Sequence, residues 1–372
     1  MPLKILYIRP EDSSGTLPIW KRAHESRGNY CRTLTLFPNE THSDEDICLN
    51  LPFIPKDSKT VALRNWLQDK YREGGIRHPK EGYPPTWEPA NLFETIFYKT
   101  RELIWTPIIN RAIVKYDLED FDIYHIESGR AFYFDGRFVR KMRDTGKHIW
   151  CNYHGTDLRT RGVLPQVDAV SEINTTSEVD LLEKHPDIEY MFLPVETEKF
   201  TPLFELHDPI RIAHATRYRV GRGTEDIIRI CKQLEQAHPI TFELLENLPH
   251  DEFLQRLSQN DIFIDLLYKE HAGYGYGMSC IEAMAFGLIP MTYLPPEQER
   301  LLGDHPFVKI TPETLSSQLE GLIQSQDLAG KKRHSREWVS AYHDIQNVIE
   351  FVYQKYRELG WIPGNGRQET ND

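Results

Sequence analysis

The sequence predicts an α/β protein made of two Rossmann-like, doubly wound domains facing a central cleft. Three observations carry that expectation. A chain of 372 residues is too long for one ordinary core and suggests two domains of roughly 150 to 200 residues. Short apolar runs, of the kind that form buried parallel strands, recur in both halves with helix-like stretches between them. With 40% hydrophobic residues, including 18 Tyr, 17 Phe and 7 Trp, the chain can fill two cores.

Lys4 to Arg9 is an apolar run that ends in Pro10 and a polar, Gly-containing loop, as a Rossmann domain begins. Cys31 to Phe37, Phe121 to Ile126, His148 to Tyr153, Val167 to Ile173 and Tyr190 to Leu193 predict further strands of an N-terminal domain over 1–194. From about 39 to 116 the rhythm breaks. There a Pro-rich stretch, KEGYPPTWEPAN, precedes the amphipathic run NLFETIFYKTRELIW, which Pro107 is expected to end or kink. Its aromatic stripe reads as packing on its own sheet, with a membrane or glycan acceptor as the alternative. IRIAHAT, ITFELLE, DIFIDLL, GLIPMTY and FVKI, alternating with helical segments such as TEDIIRICKQLEQ, predict a second doubly wound domain over 195–340. SREWVSAYHDIQNVIEFVYQKYREL reads as one long C-terminal helix, leading through 341–372 to a flexible polar tail. The basic cluster Lys331 to Arg336 reads as a solvated helix start.

The 44 basic and 56 acidic residues leave a net charge of −12, which argues against a nonspecific nucleic-acid binder and requires any phosphate site to be local. Cys31, Cys48, Cys151, Cys231 and Cys280 are scattered and lack the spacing of zinc or redox pairs, as in a cytoplasmic protein with reduced thiols. No stretch approaches the roughly 18 to 20 apolar residues of a membrane span, which leaves peripheral membrane contact open. Asp120-Phe121-Asp122 imitates a metal-binding Asp-x-Asp, but it opens an N-domain strand far in sequence from any phosphate signal, so no metal is expected.

The chemistry concentrates in DIFIDLLYKEHAGYGYGMSCIEAMAFGLIPMTY. A strand ends, a Gly-rich loop follows, and a helix opens near Gly277. Gly273, Gly275 and Gly277 allow close backbone approach, and the N–H groups of Gly277, Met278 and Ser279 would lie at the positive end of a helix dipole, where a diphosphate fits. Ser279 and Glu282 also have S-x-x-E spacing, so Glu282 reads equally as the glutamate of a capping box. Upstream, HATRYRVGRGTEDI places Arg217, Arg219 and Arg222 in one loop before a helix, and like charges so close favour an anion.

GYGYGMSCIEAMAFGLIP resembles the donor-binding signature of retaining glycosyltransferases of the two-Rossmann (GT-B) architecture, in particular glycosyltransferase family 4. The resemblance covers about residues 120 to 360. It implies a nucleoside-diphosphate sugar as substrate with no resident cofactor, and a C-terminal helix crossing back to the first domain. By that resemblance Glu282 holds the ribose hydroxyls, Arg217 and Arg222 hold the diphosphate with Arg219 in reserve, Leu248 contacts the nucleobase, and His154 in HIWCNYHGTDLR lies near the transferred sugar. Tyr274 stands where the family has a carboxylate for sugar hydroxyls, and either reads the sugar or packs the loop. The expected reaction is transfer of the sugar, with anomeric retention, to an unidentified glycan, lipid-linked or small-molecule acceptor. A sugar-nucleotide epimerase of the same fold and a catalytically silent binding subunit are the rival readings.

Overall fold

The computed structural model describes residues 2–39, 44–52, 82–89, 92–155, 157–217, 219–268 and 275–363. The chain divides into two compact units, Met1–Met191 with Phe351–Asp372, and Phe192–Glu350.

The first unit is built on β1 (Lys4–Arg9), α1 (Leu17–Ser26), β2 (Tyr30–Thr35), β3 (Ile47–Cys48), α2 (Leu92–Lys115), β4 (Ile123–Glu127), α3 (Arg137–Asp144), β5 (His148–Tyr153), α4 (Pro165–Asp168), β6 (Ile173–Thr176) and β7 (Ile188–Tyr190). The described strands form one parallel sheet in the order β3-β2-β1-β4-β5-β6-β7. Ile5, Leu6, Tyr7 and Ile8 are all buried, because helices on both faces of a parallel sheet leave no wet side. From Phe351 onward the last helix belongs to this unit. Its Tyr353 hydroxyl meets His24 Nδ1 at 3.0 Å and its Tyr356 hydroxyl meets His125 Nε2 at 2.6 Å. Burial pushes His24 down to about 3 and His125 well below its ordinary value, so both rings are neutral donors and acceptors.

The second unit comprises β8 (Ile210–Thr216), α5 (Arg219–Arg222), α6 (Thr224–Glu235), β9 (Ile240–Glu246), α7 (His250–Leu257), β10 (Ile262–Ile264), α8 (Met278–Ala285), β11 (Ile289–Thr292), α9 (Pro296–Leu302), β12 (Val308–Lys309), α10 (Leu315–Ile323), α11 (Leu328–Tyr342) and α12 (Ile345–Glu358), the last of which runs on into the first unit. Its strands are parallel in the order β12-β11-β10-β8-β9. The order reverses between β8 and β10, and a doubly wound sheet binds ligands outside the carboxyl ends of the strands at such a point.

Several local expectations give way to tertiary context. Pro107 lies inside α2, which continues to Lys115 because Trp105, Ile109 and Ala112 carry one buried face past it. Val167 belongs to a helical turn begun by Pro165, and the strand starts only at Ile173, opposite Trp150. β7 stops at Tyr190, where its partner β6 ends at Thr176. The long C-terminal helix is two helices. Val195 takes over the backbone at the break, donating to the His343 carbonyl (2.8 Å) and accepting from the Ile345 N–H (2.9 Å). In the basic cluster, Lys332 is fully buried, its ammonium donating to Asp261 (2.7 Å) and the Glu205 carbonyl (3.2 Å), which a solvated helix start does not require.

Candidate functional site

β8 delivers the Arg217 loop and β10 delivers Asp265 on opposite sides of the switch point in the second unit. His214 locks the two strands together, donating from Nδ1 to the Ile264 carbonyl (2.7 Å) while Nε2 meets Thr224 Oγ1 (2.9 Å). Burial brings that imidazole down to about 4. Gly223, at φ +72°, starts α6, and a Cβ there would lie 2.7 Å from the Tyr268 ring, so the loop after Arg222 admits only glycine.

Arg222 donates to Asp265, which is fully buried, and Asp265 Oδ2 accepts the Gly277 N–H at 3.2 Å. Burial pushes the Asp265 carboxyl above its ordinary value against the pull of Arg222 and that N–H. The Arg222 Nη2 lies 3.8 Å from the place a Gly277 Cβ would take, so guanidinium and helix start face one another. One guanidinium has five N–H donors, and the bond to Asp265 fixes the group without exhausting it. Gly275, at φ +86°, bends the chain into α8 where a Cβ would overlap the end of Gln298.

α8 begins at Gly277 with no side-chain cap, and Ser279 and Glu282 both lie inside the helix, so their spacing is not a capping box. Its first N–H groups, at Met278 and Ser279, have no partner within the helix by geometry. Glu282 is buried and accepts from His250 Nε2 at 2.7 Å. That bond, more than any other influence, raises the His250 imidazole above its ordinary value, while the nearby Arg217 charge works the other way. Arg217 is exposed and has no hydrogen-bond or ion-pair partner among the described residues. Arg219 is engaged elsewhere: it grips Glu246 with two bonds of 2.7 Å and Glu225 with one of 2.8 Å. Leu248 packs partly buried against the unit's core, two residues before His250. Tyr274 and Gly273 lie outside the described residues.

In the first unit, His154 follows β5 and donates from Nε2 to Glu127 Oε2 at 2.7 Å, while Asn152 Nδ2 donates to the same oxygen at 3.2 Å. Burial pushes the Glu127 carboxyl up, but His154, Arg9 and Asn152 outweigh it and hold the group below its ordinary value. Asp157 orients this loop by accepting the His154 N–H (2.9 Å), and Arg159 is paired with Asp180 and Glu178. Asp120 and Asp122 serve Lys4, by ion pair and backbone bond respectively. Asp265, His250 and Glu127 escaped the sequence reading. For Asp265 and Glu127 the available signal was an ionisable residue inside or closing an apolar strand run, which has to find a partner when buried, whereas His250 opens a helix and carried no such signal.

Neither a family model nor a curated protein matches the sequence. Solved structures do match. An alpha-glucosyltransferase in complex with UDP-glucose and DNA aligns over 95% of this chain and 99% of its own at 10% identity, with a TM-score of 0.56. HepE (Alr3699) from Anabaena, in complex with UDP-glucose, aligns over 96% and 100% at 10% identity, with a TM-score of 0.54. A candidate UDP-N-acetylglucosamine 2-epimerase from Listeria monocytogenes aligns over 97% and 98% at 11% identity, with a TM-score of 0.55. The chain has the GT-B fold. Within that fold, the switch point of the second unit carries two arginines, a helix start and a His-carboxylate pair, and the carboxyl ends of β4 and β5 in the first carry a second His-carboxylate pair. No helix among the described residues is long and apolar enough to cross a membrane.

Proposed function

We propose that this GT-B protein is a nucleotide-sugar-dependent glycosyltransferase whose donor site lies at the β8/β10 switch point. The observation that carries the reading is Arg222, held by buried Asp265 with its guanidinium facing the uncapped start of α8. Charge-assisted donors and helix amides together suit a diphosphate without a metal. Arg217 adds a second cation, and Glu282, steadied by His250, accepts the ribose hydroxyls. As the sugar leaves, charge growing on the phosphate is met by Arg217, Arg222 and the Met278 and Ser279 amides. His154, held by its bond to Glu127, is assigned to the transferred sugar, and anomeric retention is the stereochemical outcome proposed. The net charge of −12 argues against a nucleic-acid acceptor, although one structural neighbour was solved with DNA.

The test is turnover with a panel of nucleotide sugars and acceptors. Release of nucleotide with a glycosylated acceptor supports transfer. Conversion to an altered sugar nucleotide without acceptor selects epimerisation, the reading favoured by the Listeria neighbour. Nucleotide binding without either reaction selects a silent subunit and sinks the enzyme assignment.

A further inference from the structure

At the carboxyl end of β4 the chain turns through two consecutive positive-φ residues, Ser128 (φ 65°) and Gly129 (φ 56°). A Cβ on Gly129 would lie 2.3 Å from the Tyr153 ring, so only glycine passes there. Strain of this kind persists only where the surroundings over-determine it. The turn delivers Arg130, and Arg161 braces it by donating to the Ser128 carbonyl at 2.6 Å.

Among the described residues, Tyr153 Oη, in a residue with no solvent exposure, Arg130 Nε, and Arg101 Nε and Nη2 are buried and without hydrogen-bond partners. Arg101 and Arg130 are stacked on the same Phe134 ring at 5.4 and 4.8 Å from its centroid. Burial first, and then the neighbouring arginine charges, push Arg130 below its ordinary value against the weaker pull of Tyr98 and Glu102. The nearby carboxylate, Glu102, spends its bonds on the Phe134 N–H (2.7 Å) and Arg137. Leaving such donors unmade is costly.

We infer that the Ser128–Arg130 turn, Arg101 and Tyr153 form an oxyanion subsite for a phosphate monoester or diester. The unfilled guanidinium nitrogens are donors only and the Tyr153 hydroxyl can donate as well, which favours an anion. Donors arriving from three separate chain segments suit the several oxygens of a phosphate better than the two of a carboxylate. Tyr98 and Phe134, on which Arg101 stacks, also line a cavity of about 510 Å³ whose other walls include Lys99, Arg137, Glu102 and Asp135, and the organic part of such a ligand would lie there. On α2, Leu92, Phe93, Ile96, Phe97, Leu103 and Ile104 form an exposed apolar stripe beside Arg101, so the phosphate is either a free acceptor's or a lipid headgroup's. Its role as an acceptor subsite rests on the glycosyltransferase reading, whereas the binding itself does not.

The probes are glycerol 3-phosphate, inorganic phosphate and phosphatidylglycerol vesicles, compared in wild type, Arg130→Gln and Tyr153→Phe. Loss of one charge-assisted bond is expected to weaken phosphate binding about tenfold in Arg130→Gln, with a smaller loss in Tyr153→Phe, whose ring still packs. UDP affinity is expected to be unchanged in both, because the donor loop is the same, so the difference from wild type reports this turn alone. In nitrogen-15 spectra the Arg130 Nε–H signal should move on titration. Vesicle binding that depends on Arg130 identifies the lipid source, and a response to soluble phosphates only identifies a free acceptor. Equal phosphate affinity in all three proteins, an unmoved Arg130 signal, equally strong binding of acetate, or Arg130-dependent binding confined to an oligonucleotide would overturn the subsite. Absence of UDP binding with the Arg130 response intact would remove the donor reading and leave the subsite standing.

Discussion

The two units meet the same problem, a helix start at the carboxyl end of a parallel sheet, and solve it in opposite ways. In the first, the β1–α1 turn carries its own anion. Asp12 accepts the Thr16 and Leu17 N–H groups (3.3 and 3.1 Å) and a 3.0 Å bond from buried Arg9, which also reaches Ser14 and Thr16. In the second, α6 and α8 start at Gly223 and Gly277 with no N-cap side chain, Asp265 takes only the Gly277 N–H and is itself paired with Arg222, and Arg217 stands exposed. A helix terminus is a phosphate site only when the chain does not fill it first.

The largest test of that contrast is Asp12→Ala, which strips buried Arg9 of its counter-ion. A loss of about 3 to 5 kcal/mol is expected in chemical denaturation, and a change below 1 kcal/mol would show that the turn is not the closed device described. Next is acid. His24 has a folded value far below its unfolded one, so the unfolded chain binds the extra proton first. This stability is fully present above about pH 6.5 and is lost as pH falls toward 3, amounting to about 2 kcal/mol by pH 5. The denaturation midpoint measured from pH 7 to 4 should therefore fall less steeply in His24→Gln than in wild type, and equal slopes would refute the assignment.

For the open site of the second unit, Arg217→Ala should weaken UDP binding about tenfold by calorimetry with an unchanged melting temperature, since the side chain is exposed. Arg222→Ala should weaken it at least as much and also lower stability, because buried Asp265 loses its partner. Unaltered UDP affinity in both variants removes the donor site. The smallest expected effect is Glu282→Gln, with roughly two- to fivefold weaker UDP binding and little preference left between ribose and deoxyribose, as one weakened hydrogen bond implies. Retained ribose preference would reduce the His250–Glu282 pair to structural support.

Regular elements were the most legible. His148–Tyr153 and Ile210–Thr216 form strands over the spans that their runs predict, because a parallel strand covered on both faces is largely apolar, and the edge strand Ile240–Glu246 does so although Thr241 is exposed. Lys4–Arg9 behaves the same way. Boundaries set by a partner were not legible: the end of β7 depends on where β6 stops, and the break at His343 depends on Val195, 148 residues earlier. Pro107 misled for a similar reason, since a local breaker lost to the packing of Trp105 and Ile109.

What the sequence determined by itself was the α/β class and the position of the glycine turn at Gly275–Gly277 that opens α8, because hydrophobic period and backbone permissiveness are properties of neighbouring residues. It also marked Arg217, Arg222, Glu282 and His154 as candidates. Only the tertiary structure decided which of these groups are engaged and by whom: Arg222 by Asp265, Glu282 by His250, His154 by Glu127, and Arg219 by Glu246 and Glu225. Those partners lie on separate strands and helices, and the energy that selects them, desolvation balanced by a charge or hydrogen bond at about 3 Å, depends on distances that arise only when the sheets assemble.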